Sequence, residues 1–291
     1  MKNGERQFYA QPFKERNMRD FFGKTADLSG KRLFLFDMDG TIYRENELFD
    51  GVIELLDEIE HKGGRYVFIT NNASKSIKDY ALKLRKMGVV GVNKDNFFTS
   101  TQAAIAIMKE KFFNQLIYVQ GTKSFIKELK ANKLKITQKF NSNVKAVLLA
   151  FDPEITGLKL RTTCEVLTRL DVPYYATNPD WVCPVSFGSI PDCGAMCEAI
   201  WRATGKRPEY IGKPQPTMVE TVQKKFGCAC DETVVVGDRL YTDIATGVRA
   251  GVDAVCVLSG EATVDDIKNA EKEETPTYVL KSVKDLLPCL L

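Results

Sequence analysis

Short apolar runs alternate with helical patterns along most of the chain. "RLFLF", from Arg32, is strand-like, and "ELFDGVIELLDEIEHKG" sets Val52, Leu55, Leu56 and Ile59 on one face at helical spacing. "RYVFIT" predicts a second strand and "SKSIKDYALKLRKMG" a helix ending at Gly88. "NFFTS" and "TQAAIAIMKEKF" repeat the unit, and "EYIG", "QPTMVETVQKKFG", "TVVVGD", "YTDIATGVRAG" and "DAVCVLSG" repeat it again near the other end. Continuous apolar strands with helices between them predict an α/β fold, with a parallel sheet covered on both faces.

The middle of the chain reads as a smaller α/β unit of its own. "QLIYVQG", "TKSFIKELKAN", "VKAVLLAFD", "GLKLRTTCEVLTRLD" and "VPYYATNPD" supply its elements, and it is expected over 101–192. It interrupts a larger unit formed by 31–100 and 193–291. Residues 1–30 are expected to form an arm with a short helix.

Composition narrows the class. The 291 residues are 44% hydrophobic and 27% charged, as in an ordinary globular protein. A net charge of +3, with lysines and arginines scattered among acids, gives no reason to expect nucleic acid or membrane partners. No apolar stretch is long enough to span a bilayer, and the N-terminal segment lacks the apolar run of a signal peptide, so a cytoplasmic location is the expectation. The eight cysteines include no CxxC pair, which argues against zinc and for reduced thiols, several of them in the core. His61 is the only histidine and lies in a polar helix end, so a Ser-His-Asp or phosphohistidine mechanism is a poor candidate.

The chemistry-bearing residues sit where strands end. In "FDMDGT", Asp37 and Asp39 are two apart and face the same side of an extended segment. Two such carboxylates are tolerated by sharing a proton or by holding a hard cation, and Gly40 lets the chain turn and bare its amides. An acidic glycine turn can also be only a turn. "RYVFITNNASKS" ends in Thr70, Asn71 and Asn72, whose hydroxyl, amides and N–H groups suit phosphate oxygens or a helix cap. "YIGKPQP" fixes Lys213 between Gly212 and Pro214, where its ammonium could meet phosphate or crowded carboxylates. "TVVVGDRLYTD" offers Asp238 as a metal ligand and Asp243 as an outer partner or helix cap. Four such motifs, all expected at strand ends of one parallel sheet, together supply a nucleophile, an acid, anion donors, a cation and metal ligands.

"DMDGT", "TNN", "GKP" and "GDRLYTD" match, in order and spacing, the four motifs of the haloacid dehalogenase (HAD) superfamily of phosphohydrolases, and the chain resembles that family over roughly 31–260. "ATNPD" and "GKPQP" are similar to its NagD / para-nitrophenylphosphatase branch, whose large cap domain the middle unit would be. The resemblance implies a Rossmann-like core with an inserted cap and a Mg²⁺-dependent phosphatase of small phosphomonoesters, such as sugar phosphates or nucleoside monophosphates. It makes Asp37 the nucleophile that carries an aspartyl-phosphate, and Asp39 the general acid and base. Thr70, Asn71, Asn72 and Lys213 would hold phosphate. Asp37, the Asp39 main-chain carbonyl and Asp238 would hold the metal, with Asp243 behind them near Lys213. Asn178 and Asp180 would face the substrate from the cap, and Trp181 and Phe187 either stack on a base or pack. A homodimer through the cap is compatible with the family and is left open by the sequence. A phosphotransferase or mutase on the same site is the alternative enzyme. A receiver-like phospho-aspartate module is the non-enzymatic alternative, and Asp39 and the inserted cap argue against it. A dinucleotide-binding protein would need a G-x-G-x-x-G after a strand, which is absent.

Overall fold

A computed structural model describes residues 18–73, 76–185 and 187–290. β1 (Leu33–Phe36) leads through a short hairpin, β2 (Tyr43–Arg44) and β3 (Glu47–Leu48), to α1 (Val52–His61). β4 (Arg65–Thr70), α2 (Ile77–Lys86), β5 (Phe97–Thr99) and α3 (Ser100–Lys111) follow. Next come β6 (Leu116–Gln120), α4 (Lys123–Ala131), β7 (Ile136–Thr137), β8 (Val144–Leu149), α5 (Gly157–Arg169) and β9 (Tyr174–Ala176). A hairpin of β10 (Val182–Val185) and β11 (Gly188–Pro191) precedes α6 (Cys193–Thr204) and β12 (Glu209–Tyr210). α7 (Thr217–Phe226), β13 (Thr233–Gly237), α8 (Ala245–Arg249), β14 (Asp253–Val257), α9 (Val264–Lys268) and β15 (Tyr278–Leu280) bring the chain to its last short helical segment.

The larger sheet has six strands in the order β15-β14-β13-β1-β4-β5, all parallel. β1 lies at its centre with every residue buried. Phe34 and Phe36 pack on one face with Val52, Leu55, Leu56 and Ile59 of α1, while Leu33 and Leu35 pack on the other. This two-sided burial is why the strands read as unbroken apolar runs. α2 begins only at Ile77, because Ser76 and Asp79 form a reciprocal capping box there. "YTDIATGVRAG" is not one regular helix. It opens with a wide turn over Leu240–Ile244, in which Ile244 N–H donates to the Arg239 carbonyl at 3.1 Å, and α8 continues from it.

A second sheet of five strands runs β12-β9-β8-β6-β7, again parallel. Its extent differs from the expected 101–192. α3 packs Ala103, Ala104 and Met108 where the two sheets meet, so the second sheet starts later, at Leu116. α6 and β12 belong with it as well. Cys193, Met196, Cys197 and Ile200 bury against Val147, Tyr174 and Val166, and β12 pairs with β9. The strand that carries Lys213 therefore lies in the second sheet, and only three of the four motifs end strands of the first.

Within 18–30 there is no helix, and the segment is no free arm. Buried Asp20 accepts from the N–H groups of Phe22, Lys24 and Val279 at 3.0, 2.8 and 3.2 Å, and Ala26 and Leu28 join the core. The rest of the expected arm lies outside the described residues. Cys193, Cys197, Cys256 and Cys289 are buried free thiols. No helix among the described residues is long and apolar enough to cross a membrane.

Candidate active site

Three neighbouring strands of the first sheet, β13, β1 and β4, deliver Asp238, Asp37 and Thr70 to one edge. Past β1 the alternation persists for two residues. Met38 is buried in the core, and Asp37 and Asp39 both line a cleft of about 850 Å³ between the two sheets. Open α/β sheets bind ligands at this carboxyl edge.

Lys213 is the electrostatic centre. Its Nζ donates to Asp37 Oδ1 at 2.5 Å and to Asp243 Oδ1 at 2.6 Å, and its side chain is 3% exposed. Burial alone would drive its pKa down, but Asp243 and Asp37 more than offset this, and the ammonium is held above its ordinary value. Burial pushes Asp37 well up; Lys213 opposes that, and the charges of Asp243 and Asp238 add to it. Burial and Asp243 likewise push Asp238 up to about 6, against the Glu261 N–H that donates to it at 2.8 Å.

Carboxylate oxygens of Asp37, Asp238 and Asp243 lie within 4.8 Å of one another. Asp243 is already engaged, since its second oxygen accepts from Arg239 N–H at 3.1 Å. Asp37, and Asp238 whose carboxylate's hydrogen bonds among the described residues come only from the neutral Thr41 and Glu261 donors, remain as closely spaced hard oxygen donors whose repulsion a dication would relieve, so the donor set fits Mg²⁺. Gly40, at φ +88°, and Gly260 press their backbones on the Asp238 carboxylate, and a Cβ at either would overlap it. Thr41 Oγ1 donates to Asp238 Oδ1 at 3.2 Å and completes its seat.

Asp39 is more open, with a side chain 52% exposed. Its Oδ2 accepts from Tyr43 Oη at 3.2 Å, and Lys83 Nζ stands 3.9 Å from Oδ1 and over the Tyr43 ring. Thr70 Oγ1 accepts from Asn72 N–H at 3.2 Å, and Asn72 lines the cleft. Asn71 is buried and joins the sheets. Its Oδ1 accepts from Lys213 N–H at 2.8 Å, and its Nδ2 donates to the Lys213 carbonyl at 3.0 Å and to Asp180 Oδ2 at 3.1 Å.

The cap residues part company. Asp180 lines the cleft, and its other oxygen is buried with no hydrogen-bond partner among the described residues. Asn178 does not face the cleft. It is fully buried, its Nδ2 donates to Asp180 Oδ2 at 2.9 Å and Asp192 Oδ1 at 3.1 Å, and its Oδ1 accepts from Thr177 Oγ1 at 2.9 Å. Trp181 and Phe187, 57% and 81% exposed, neither line the cleft nor pack in the core.

Sequence reasoning missed Tyr43, Lys83, Asp192 and Arg239, all but Tyr43 in the cleft wall. Arg239 sits inside the quoted "GDRLYTD", so its position was a usable signal; it pairs with Glu261 at 2.9 Å. Lys83 is one lysine of several on α2, and nothing local distinguishes it. Burial pushes Asp192 up to about 6, against the Cys193 N–H that donates to it.

This arrangement is that of a phosphoryl-transfer site on a parallel α/β sheet, with acids, a buried cation and amide donors around one cleft. The chain matches the haloacid dehalogenase-like hydrolases over residues 34–135 and a HAD-hydrolase-like family over 210–286. It is 33% identical to phosphoglycolate phosphatase 2 of Arabidopsis thaliana, over 87% of this chain and 91% of that protein. The crystal structure of a 4-nitrophenylphosphatase from Thermotoga maritima superposes with a TM-score of 0.85 at 37% identity, covering 91% of this chain and 99% of that one. A glycerol phosphate phosphatase of Mycobacterium tuberculosis, solved in complex with magnesium, superposes with a TM-score of 0.83 at 26% identity, covering 90% of this chain and 78% of that one. The chain belongs to the haloacid dehalogenase-like hydrolases, in the branch of NagD and the 4-nitrophenylphosphatases. It is a phosphoric monoester hydrolase.

Proposed function

We propose that the enzyme hydrolyses small phosphomonoesters, of the size of a sugar phosphate or nucleoside monophosphate, through an aspartyl-phosphate on Asp37. The observation that carries this reading is the convergence of Asp37, Asp39, Thr70, Lys213 and Asp238, from four distant segments, on one cleft. Asp37 Oδ attacks phosphorus, and the bond to the leaving oxygen breaks as Asp39 gives that oxygen a proton. Asp39 then takes a proton from water, which attacks phosphorus and frees Asp37. Lys213, kept charged by Asp37 and Asp243, and the Thr70–Asn72 segment hold the phosphoryl oxygens. Mg²⁺ held by Asp37, the Asp39 carbonyl and Asp238 would supply charge neutralisation at the phosphoryl group. Asp39 suits its two tasks because it is the open carboxylate of the pair, in reach of both leaving group and water.

The leaving group meets the β10–β11 hairpin. Val182, Val185 and Ile190 offer it an apolar wall, and Asp180 and Asp192 offer acceptors for hydroxyl groups. Phosphate release from 4-nitrophenyl phosphate and a panel of metabolite monophosphates, with Mg²⁺ and with EDTA, tests the proposal beside Asp37→Asn. Metal-dependent release that the variant loses supports it. Release that persists in Asp37→Asn refutes the nucleophile, and phosphate delivered to an added sugar instead of water points to a phosphotransferase.

A further inference from the structure

The second sheet is itself wound in two directions. From β6 the chain passes through α4 to β7 on one side, and from β8 through α5 to β9 on the other. Such a reversal opens a crevice at the carboxyl ends of the two middle strands, where open α/β sheets bind ligands. A cavity of about 640 Å³ lies there, lined by residues that follow β6 and β8 and sharing none with the catalytic cleft.

Its walls are unusually basic. Lys123, Lys127 and Lys130 stand at i, i+4 and i+7 of α4, and Lys159 of α5 faces them across the cavity. Like charges at that spacing destabilise a helix, and Lys123 in the first turn also opposes the helix dipole. Neither α4 nor α5 has an acid in its first turn, where one would be ordinary. Lys159 is spoken for, with Asp152 at 2.8 Å and the Gly121 carbonyl at 3.2 Å. Lys123, Lys127 and Lys130 form no ion pair with any described residue.

One further observation points to an absent anion. The Glu154 carboxylate accepts from Lys123 N–H at 3.2 Å, so an exposed and displaceable carboxylate already occupies the start of α4. We propose that this crevice binds the phosphate group of a small phosphorylated metabolite, at a site separate from the catalytic one. Phosphate is favoured over a carboxylate because three uncompensated ammoniums call for more than one negative charge.

The test is hydrogen exchange on the full chain, with inorganic phosphate and separately with propylphosphonate, which stands in for an ester that cannot be hydrolysed. Sodium chloride matches the ionic strength. At ten times its Kd, a ligand slows exchange through local opening by roughly tenfold. Slowing of that order is expected in 121–131 and 152–160, and its loss is expected in Lys127→Glu/Lys130→Glu, whose side chains are exposed. Glu154→Ala, which removes the competing carboxylate, is expected to bind more tightly. Slowing by the phosphonate alone assigns the site to esters, and slowing by phosphate alone assigns it to free phosphate. No slowing in these segments, slowing confined to the catalytic cleft, or slowing undiminished in the double variant overturns the proposal.

Discussion

Replacing Lys213 by Met keeps the volume of a long side chain and removes its charge. In the native protein the ammonium lies 2.5 Å from Asp37 and 2.6 Å from Asp243, with 3% of its side chain exposed. Taking one partner from a buried ion pair costs about 3–5 kcal/mol, because the other charge is left unpaired. At about 2–4 °C per kcal/mol for a protein of this size, the melting temperature falls by roughly 6–20 °C. The loss must depend on pH. Burial and the other acids already raise Asp37 and Asp238, and without Lys213 they rise further. A carboxyl with a raised folded pKa contributes most below its unfolded value, and that contribution is lost as pH rises through the folded value. The variant is therefore penalised most above pH 7 and least near pH 4. Calorimetry without metal, at pH 7.5 and pH 4.5, reads both quantities, and Lys213→Met/Asp243→Asn should recover part of the loss at the higher pH. Equal melting temperatures for variant and native protein, or a loss that is the same at both pH values, would refute the reasoning.

Asp37→Asn should lower phosphate release by at least ~10³-fold with little change in melting temperature, and a variant that retains its rate sinks the nucleophile. Asp39→Asn should slow departure of the leaving group in a single turnover by about 10²–10⁴-fold for alkyl esters and much less for 4-nitrophenyl phosphate, whose leaving group needs no proton, while steady-state turnover falls for both because the same residue activates water; equal single-turnover losses argue against the acid. Asn178→Ala should cost about 1–3 kcal/mol in stability and raise KM through Asp180, because it strips buried partners of a donor; an altered leaving-group preference at unchanged stability would make Asn178 a substrate contact after all. Burial holds Asp192 near 6, so its protonated form stabilises the fold below pH 4 and that contribution is gone above pH 6. Asp192→Asn should therefore raise the melting temperature at pH 7.5 and leave it near native at pH 4, and an offset equal at both pH values removes that account.

Much of the first sheet was readable because burial on both faces leaves apolar runs with no other explanation. Val52, Leu55, Leu56 and Ile59 are the buried face of α1, as their spacing predicts. The edges of the second sheet were not readable. β12 is two residues long, and two residues carry no period by which to assign a sheet. "CGAMCEAIWRAT" shows an apolar face at helical spacing, but that pattern cannot say which sheet the face covers; in the structure it is the second. The segment before β1 failed differently, since its place depends on the Asp20 carboxylate reaching Val279, 259 positions away.

The site divides along the same line. Asp37, Asp39, Thr70 and Asp238 were legible because each ends or follows a strong strand, and strand ends of a parallel sheet share an edge. Asn178 was misjudged because its neighbour Asp180 has the cleft, and two polar residues at that spacing look equally suited to it. What separates them is Asn71, which lies 109 positions from Asp180 and 142 from Lys213 and bonds to both. That single amide makes the position of Lys213 a property of the second sheet. Gly212 N–H donates to the Thr177 carbonyl at 2.8 Å, so Lys213 continues the hydrogen-bonding of β12 with β9 even as its ammonium reaches Asp37 in the first sheet. A rotation of the second sheet as a rigid body, about any axis away from Gly212, displaces Lys213 from Asp37.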